Sequence, residues 1–249
     1  MRVGILGASS QIGQALIEQL QSMGHDVQIW GRQRDGSESS HFYFDLDAPT
    51  PLTAPSCESA VLLSWIGDPR TPEIMQKNES GYKFLASELR KANIFPIFVS
   101  TATSSPTSRS VHARAKYEIE QVFEGWGAIV RPGRILLPDG KIVGKAARKT
   151  LLLSRIGSVI RTDLRVPIVQ LEVLTAKLAV LAVLRTPGKW DIRDESIPVG
   201  SDLEFVPLIP RKILHYFVLG STLLFFRRRS NILDRWYALL DAQGLDQDK

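Results

Sequence analysis

The sequence predicts an α/β fold: a doubly wound parallel sheet with helices on both faces and a small C-terminal lobe packed against it. Three observations predict it. Short apolar runs rich in β-branched residues alternate with longer stretches of helical period, the pattern of successive βαβ units. A turn bounded by Gly7 and Gly13 follows the first run directly and opens the first helical stretch. The 249 residues, 44% hydrophobic and 23% charged, suffice for one sizeable core and exclude a disordered chain or a small disulfide scaffold.

In chain order, residues 2–6, 27–30, 42–44, 60–64, 95–100 and 128–131 read as strands. Between the first two, Ile12, Ala15, Leu16, Leu20 and Met23 recur at helical spacing, and Gly24 supplies the stop. Residues 72–92 and 111–123 read as the later crossover helices. After Arg131-Pro132-Gly133 the alternation loosens. Residues 141–153 are a basic helical candidate, 165–169 a short strand and 172–184 an apolar-faced helix, while Pro198, Pro207 and Pro210 mark loop.

The single Cys57 has no disulfide partner and no neighbour at metal-ligand spacing, so the expectation is a reduced, cytoplasmic protein without a metal site. His25 and His41 precede strands and lack the Cys or carboxylate pattern of a metal centre. Asp139-Gly140 reads as a turn, and no G-x-S-x-G elbow marks a serine hydrolase. Residues 2–6 run straight into the glycine turn, which leaves no room for a signal peptide. The most apolar stretch, 213–226, contains His215 and Ser221 and stops at Arg227-Arg228-Arg229; it falls short of the roughly 20 residues a bilayer span needs. It reads as a buried or cleft helix or, with its basic flank, as a peripheral membrane contact over 213–229.

The net charge of +5 is unevenly spread. Residues 1–130 carry 11 Lys and Arg against 14 Asp and Glu, and residues 131–249 carry 20 against 12. The basic excess therefore belongs to the second half, with Lys141, Lys145, Arg148, Lys149 and Arg155 at its start. Without aromatics interleaved on a basic strand face, this is not the pattern of a nucleic-acid binder. An anionic small molecule is the expected partner.

The first turn, Gly7-Ala8-Ser9-Ser10-Gln11-Ile12-Gly13, places small residues where a dinucleotide pyrophosphate approaches the backbone, and the free amides of a helix start favour an anion there. Its glycines occupy the first and last positions of G-x-x-G-x-x-G, with Ser10 in the middle. The second strand ends in Gly31-Arg32-Gln33-Arg34 rather than in the acidic residue that holds an NAD ribose. Arg32 suits a 2′-phosphate, which favours NADP(H) over NAD(H); the alternative is a solvated surface arginine.

From Met1 to about Leu184 the chain resembles the short-chain dehydrogenase/reductase superfamily, in its extended and atypical branch of NAD-dependent epimerase/dehydratase-like proteins. The resemblance rests on GASSQIG, on Asp45-Leu46 after the third strand, and on Asn78 with Gly81 in the helix before the fifth. It rests further on Ser100-Thr101-Ala102-Thr103 at that strand's end, and on Arg131-Pro132-Gly133. It implies a Rossmann-type domain over 1–184 and a substrate lobe over 185–249, with some substrate contacts from 133–170. The implied cofactor residues are Gly7, Ser9, Ser10, Gln11, Ile12, Gly13, Arg32, Asp45, Leu46, Ser64, Lys116 and Pro132. Thr101 falls at the catalytic hydroxyl position. The resemblance also implies a homodimer through the helices 72–92 and 111–123.

Where the family has Tyr-x-x-x-Lys, this chain has His112-Ala113-Arg114-Ala115-Lys116. The i, i+4 spacing keeps both side chains on one helical face. Tyr117 points about 100° away and is a poor substitute. Two readings of His112 stand: a proton-transferring group beside Lys116, or a residue that only occupies the tyrosine position. Lys116 likewise either keeps the family's role or pairs with Glu120 on the helix surface. The functional expectation is an NADP(H)-using oxidoreductase, epimerase or dehydratase acting on a carbonyl or hydroxyl of an anionic substrate, such as a nucleotide sugar. The alternative is a non-catalytic NADP(H)-binding sensor or partner-binding protein.

Overall fold

The computed structural model describes residues 1–32, 41–52, 56–67, 71–108, 110–138, 165–193 and 195–198. The segments 141–153 and 213–229 and the prolines Pro207 and Pro210 lie outside the described residues. The first half alternates as its hydrophobic pattern requires: β1 (Arg2–Leu6), α1 (Gln11–Ser22), β2 (Asp26–Gly31), β3 (His41–Tyr43), β4 (Ser59–Leu62), α2 (Pro72–Lys91), β5 (Phe95–Val99), α3 (Val111–Phe123) and β6 (Ala128–Pro132). There follow β7 (Arg134–Leu136), β8 (Arg165–Gln170), α4 (Leu171–Leu184), β9 (Gly188–Ile192) and β10 (Glu195–Pro198).

Seven strands form one parallel sheet in the order β3-β2-β1-β4-β5-β6-β9. Both faces are covered, so the central strands are apolar throughout rather than alternating. Their side chains still divide with period two. On one face Val3, Ile5, Val61, Ile97, Val99 and Val130 pack against Leu16 and Leu20 of α1 and Leu174 and Leu178 of α4. On the other, Leu6, Leu62, Phe98 and Ile129 pack against Tyr82, Leu85 and Leu89 of α2 and Ile119 and Phe123 of α3. This is the doubly wound Rossmann-type architecture that the sequence predicted.

Helix ends follow local chemistry. Pro72 begins α2, where its missing N–H is no loss, and Gly24 after α1 takes φ +77°, open to glycine without strain.

Two departures stand out. The sheet continues past Leu184 to β9, whose backbone pairs with β6 from Ala128↔Gly188 to Pro132↔Ile192. As an edge strand with exposed Gly188, Lys189 and Asp191, it lacks the apolar run that reveals a central one. Pro198, expected in a loop, instead closes β10, which pairs antiparallel with β8 at the end of a separate three-stranded sheet, β10-β8-β7. An edge strand tolerates proline because no neighbour needs its N–H. No helix among the described residues is long and apolar enough to cross a membrane.

Candidate functional site

The strand order reverses between β1 and β4, and there a doubly wound sheet opens a crevice beyond the carboxyl ends of its strands. A cleft of about 610 Å³ occupies that place, lined by residues 6–10, 29–32, 41, 44–46 and 63–67. Of the sequence-predicted cofactor residues, Gly7, Ser9, Ser10, Arg32, Asp45, Leu46 and Ser64 lie in its wall. Gln11, Ile12 and Gly13 continue the same turn into α1 without lining it.

The turn is built for close backbone approach. Gly7 has φ +97°, and a Cβ there would stand 2.9 Å from the Ser64 amide nitrogen. A Cβ on Gly13 would stand 2.6 Å from the Gly7 carbonyl oxygen. Ser10 is the N-cap of α1: its Oγ accepts from the Gly13 N–H at 3.0 Å and donates to the Gly7 carbonyl at 2.8 Å. Its hydroxyl is thereby committed to the turn. The amides of Gln11 and Ile12, in the first helical turn, have no partner within the helix and point toward its open N-terminal end.

The far wall is held by α2. Asn78, fully buried, accepts from the Ile66 N–H at 2.8 Å and donates to the carbonyls of Ile66 and Ile74 at 3.1 and 2.8 Å. Gly81 lets α2 touch the loop after β3, since a Cβ there would meet the Leu46 carbonyl oxygen at 2.4 Å. The Tyr82 hydroxyl donates to the Ser64 carbonyl at 2.5 Å, and burial raises its pKa. Asp45 turns its carboxylate to the Asp47 N–H at 3.0 Å. Arg32 is exposed at the end of β2, at the cleft edge.

The three candidate catalytic residues do not line this cleft. Lys116 is 6% exposed; its Nζ donates to the Val99 carbonyl at 2.9 Å and lies 4.6 Å from the ring centroids of both Trp65 and Phe98. Burial lowers its pKa to about 7, against the opposing pull of Glu120. His112 stacks edge-on to Trp65 with centroids 4.7 Å apart; burial, then the Lys116 charge, lowers its pKa to about 4. Thr101 lies at the end of β5, its hydroxyl 3.3 Å from that of Thr103. Pro132 is buried, its carbonyl accepting from the Ala102 N–H at 3.1 Å.

Glu120 does not form a surface pair with Lys116, the alternative reading of that lysine. It is fully buried and takes the Arg131 guanidinium through contacts of 2.5 to 3.2 Å, while Ser100 Oγ donates to its Oε1. Centred on a buried carboxylate, this group ties α3 to the carboxyl ends of β5 and β6. Sequence reading also missed Trp65, a cleft residue whose ring meets both His112 and Lys116. Its position one loop residue beyond the predicted strand at 60–64 was the available signal, because such positions at a switch point face the ligand.

No family model and no curated protein matches the sequence; solved structures match the fold. A human epimerase family protein solved with NADPH superposes with a TM-score of 0.59 at 20% identity, over 87% of this chain and 85% of that one. A short-chain dehydrogenase/reductase superfamily protein from Agrobacterium tumefaciens with bound NAD gives 0.59 at 12% identity, over 79% and 78%. The UDP-N-acetylglucosamine 4-epimerase of Bacillus cereus gives 0.57 at 12%, over 78% and 76%. The chain thus has the fold of the short-chain dehydrogenase/reductase superfamily, and epimerase/dehydratase proteins are among its structural neighbours.

Proposed function

We propose that this chain binds NADP(H) in the cleft between β1 and β4 and is an oxidoreductase, epimerase or dehydratase acting on a carbonyl or hydroxyl of an anionic substrate, a nucleotide sugar being the favoured class. The observation that carries the reading is the glycine turn. Gly7 and Gly13 keep the backbone clear of any Cβ, and the turn between them leads from the wall of a cleft large enough for a nucleotide into the first turn of α1, whose amides have no partner within the helix. These residues fit a dinucleotide. The amides of Gln11 and Ile12 would receive its phosphates, Leu46 and Asp45 would flank the adenine side, and Arg32 would meet a 2′-phosphate. The nicotinamide, when bound, supplies hydride transfer.

The chain's own part is to position the dinucleotide and to move a proton. Of the two helix α3 candidates, Lys116 titrates near neutrality and His112 well below it, so Lys116 is the group able to give and take a proton at physiological pH. A non-catalytic NADP(H)-binding protein is the second reading, and one observation favours it: Lys116 Nζ is engaged with the Val99 carbonyl between two aromatic rings rather than facing the cleft. A cytoplasmic location, a homodimer and a peripheral membrane contact through 213–229 remain part of the proposal.

Calorimetric titration with NADPH and NADH tests the reading. Wild type is expected to bind NADPH, and Arg32→Ala to weaken NADPH by about 10-fold or more while changing NADH by less than about 3-fold, the scale of one charge-assisted contact. Negligible binding of both dinucleotides to wild type overturns it. Turnover of a nucleotide-sugar carbonyl with NADPH separates the enzyme from the sensor.

A further inference from the structure

Between the cleft and helix α3 stands one side chain that touches both. Trp65 forms part of the cleft wall. Its ring meets His112 at an interplanar angle of 72° and lies 4.6 Å from Lys116 Nζ. The Phe98 ring lies 4.6 Å from the same ammonium. Trp65 Nε1 is buried and has no hydrogen-bond partner among the described residues, although a buried donor left unpaired is costly.

We propose that Trp65 is a positioning residue that transmits occupation of the cleft to His112 and Lys116, its indole being the shared wall between a bound dinucleotide and the two side chains behind it. The inference rests on the dinucleotide reading above. Physically, the ring does two things: its bulk keeps water from His112 and Lys116, and its face favours the ammonium that burial opposes. A ligand packed on the cleft side of the indole, or accepting from its unpaired N–H, displaces the ring, and with it the environment of both side chains. The ionic groups acting on the pair come from α3 itself: Lys116 acts on His112 and Glu120 on Lys116. Arg131 of β6 is taken up by Glu120, and β5 meets Lys116 with the uncharged Phe98 ring and Val99 carbonyl.

The test reads His112 by NMR. The chain has four histidines, and His112→Asn assigns the signal. Wild type, Trp65→Phe and Trp65→Ala, each shown to be folded by circular dichroism, are titrated with acid and then with NADPH. Wild type and Trp65→Phe are expected to hold His112 near 4, while in Trp65→Ala entering water lets it rise toward 6.5. NADPH is expected to shift the His112 signals of wild type and Trp65→Phe, and to leave those of Trp65→Ala unmoved even where calorimetry still detects binding. An unchanged titration in Trp65→Ala, or NADPH binding to wild type without movement of His112, overturns the proposal. If wild type binds neither NADPH nor NADH, the dinucleotide reading fails and the transmission fails with it, while the acid titration still decides whether the indole keeps the pair dry. Should Trp65→Ala not fold, Trp65→Leu takes its place with the same two readouts.

Discussion

At the scale of single residues, the site depends on where a side chain is missing as much as on where one is present. Gly81 is the sharpest case: its Cα faces the Leu46 carbonyl so closely that a methyl group has no room. Gly81→Ala is therefore expected to push α2 off the loop after β3 and to cost about 1–3 kcal/mol in urea unfolding, the range for overpacking. A cost within experimental error would show that the helix shifts freely. Asn78, one turn earlier, has the complementary role of satisfying the backbone of the loop after β4 with two hydrogen bonds to Ile66, and it donates a third to the Ile74 carbonyl of its own helix. Sequence reading picked out Asn78 and Gly81 by resemblance. Their physical roles, supporting the cleft wall from behind, depend on loops far away in sequence and emerged only from the packing. Ser10 shows the converse. It was expected to bind cofactor, and it lies in the cleft wall, but its hydroxyl caps α1.

At the scale of elements, α3 is where the chain departs most from what its spacing foretold. The i, i+4 arrangement of His112 and Lys116 lies on one helical face as read, but that face turns toward Trp65 and β5 and does not line the cleft. One further turn along, Glu120 belongs to Arg131 and Ser100 rather than to Lys116. Removing the carboxylate leaves the guanidinium, 21% exposed, without its partner, so Glu120→Leu is expected to cost about 3–5 kcal/mol. The double variant Glu120→Leu/Arg131→Met should recover much of that loss, because an apolar pair of similar volume needs no compensating charge. Urea unfolding of both variants checks it; a double variant no more stable than the single one would show that the pair is not the cause. Strand β9 was missed for a related reason. Three of its five residues face water at the sheet edge, which erases the apolar run on which strand recognition depends.

At the scale of the whole molecule, the buried bases on α3 link stability to pH. His112 takes a proton near 6.5 when unfolded and near 4 when folded. Between those values the unfolded chain holds the extra proton, so stability falls as pH drops through that window. The loss from pH 6.5 to pH 5 is expected to be about 1.5 kcal/mol by linkage, read as a shift of the urea midpoint, and to vanish in His112→Asn; an equal loss in both proteins would refute the assignment. Lys116 acts with the same sign in a higher window, stability rising as pH increases from about 7 toward 10.5. The sequence by itself determined the alternation of strands and helices, the glycine turn and the doubly wound class, because these follow from local periodicity and from backbone freedom at a few positions. Only the tertiary structure decided which side chains share a site. Trp65 meets His112 and Lys116, and Arg131 meets Glu120, through pairings between strands and helices far apart in sequence, and no periodicity encodes a contact of that kind.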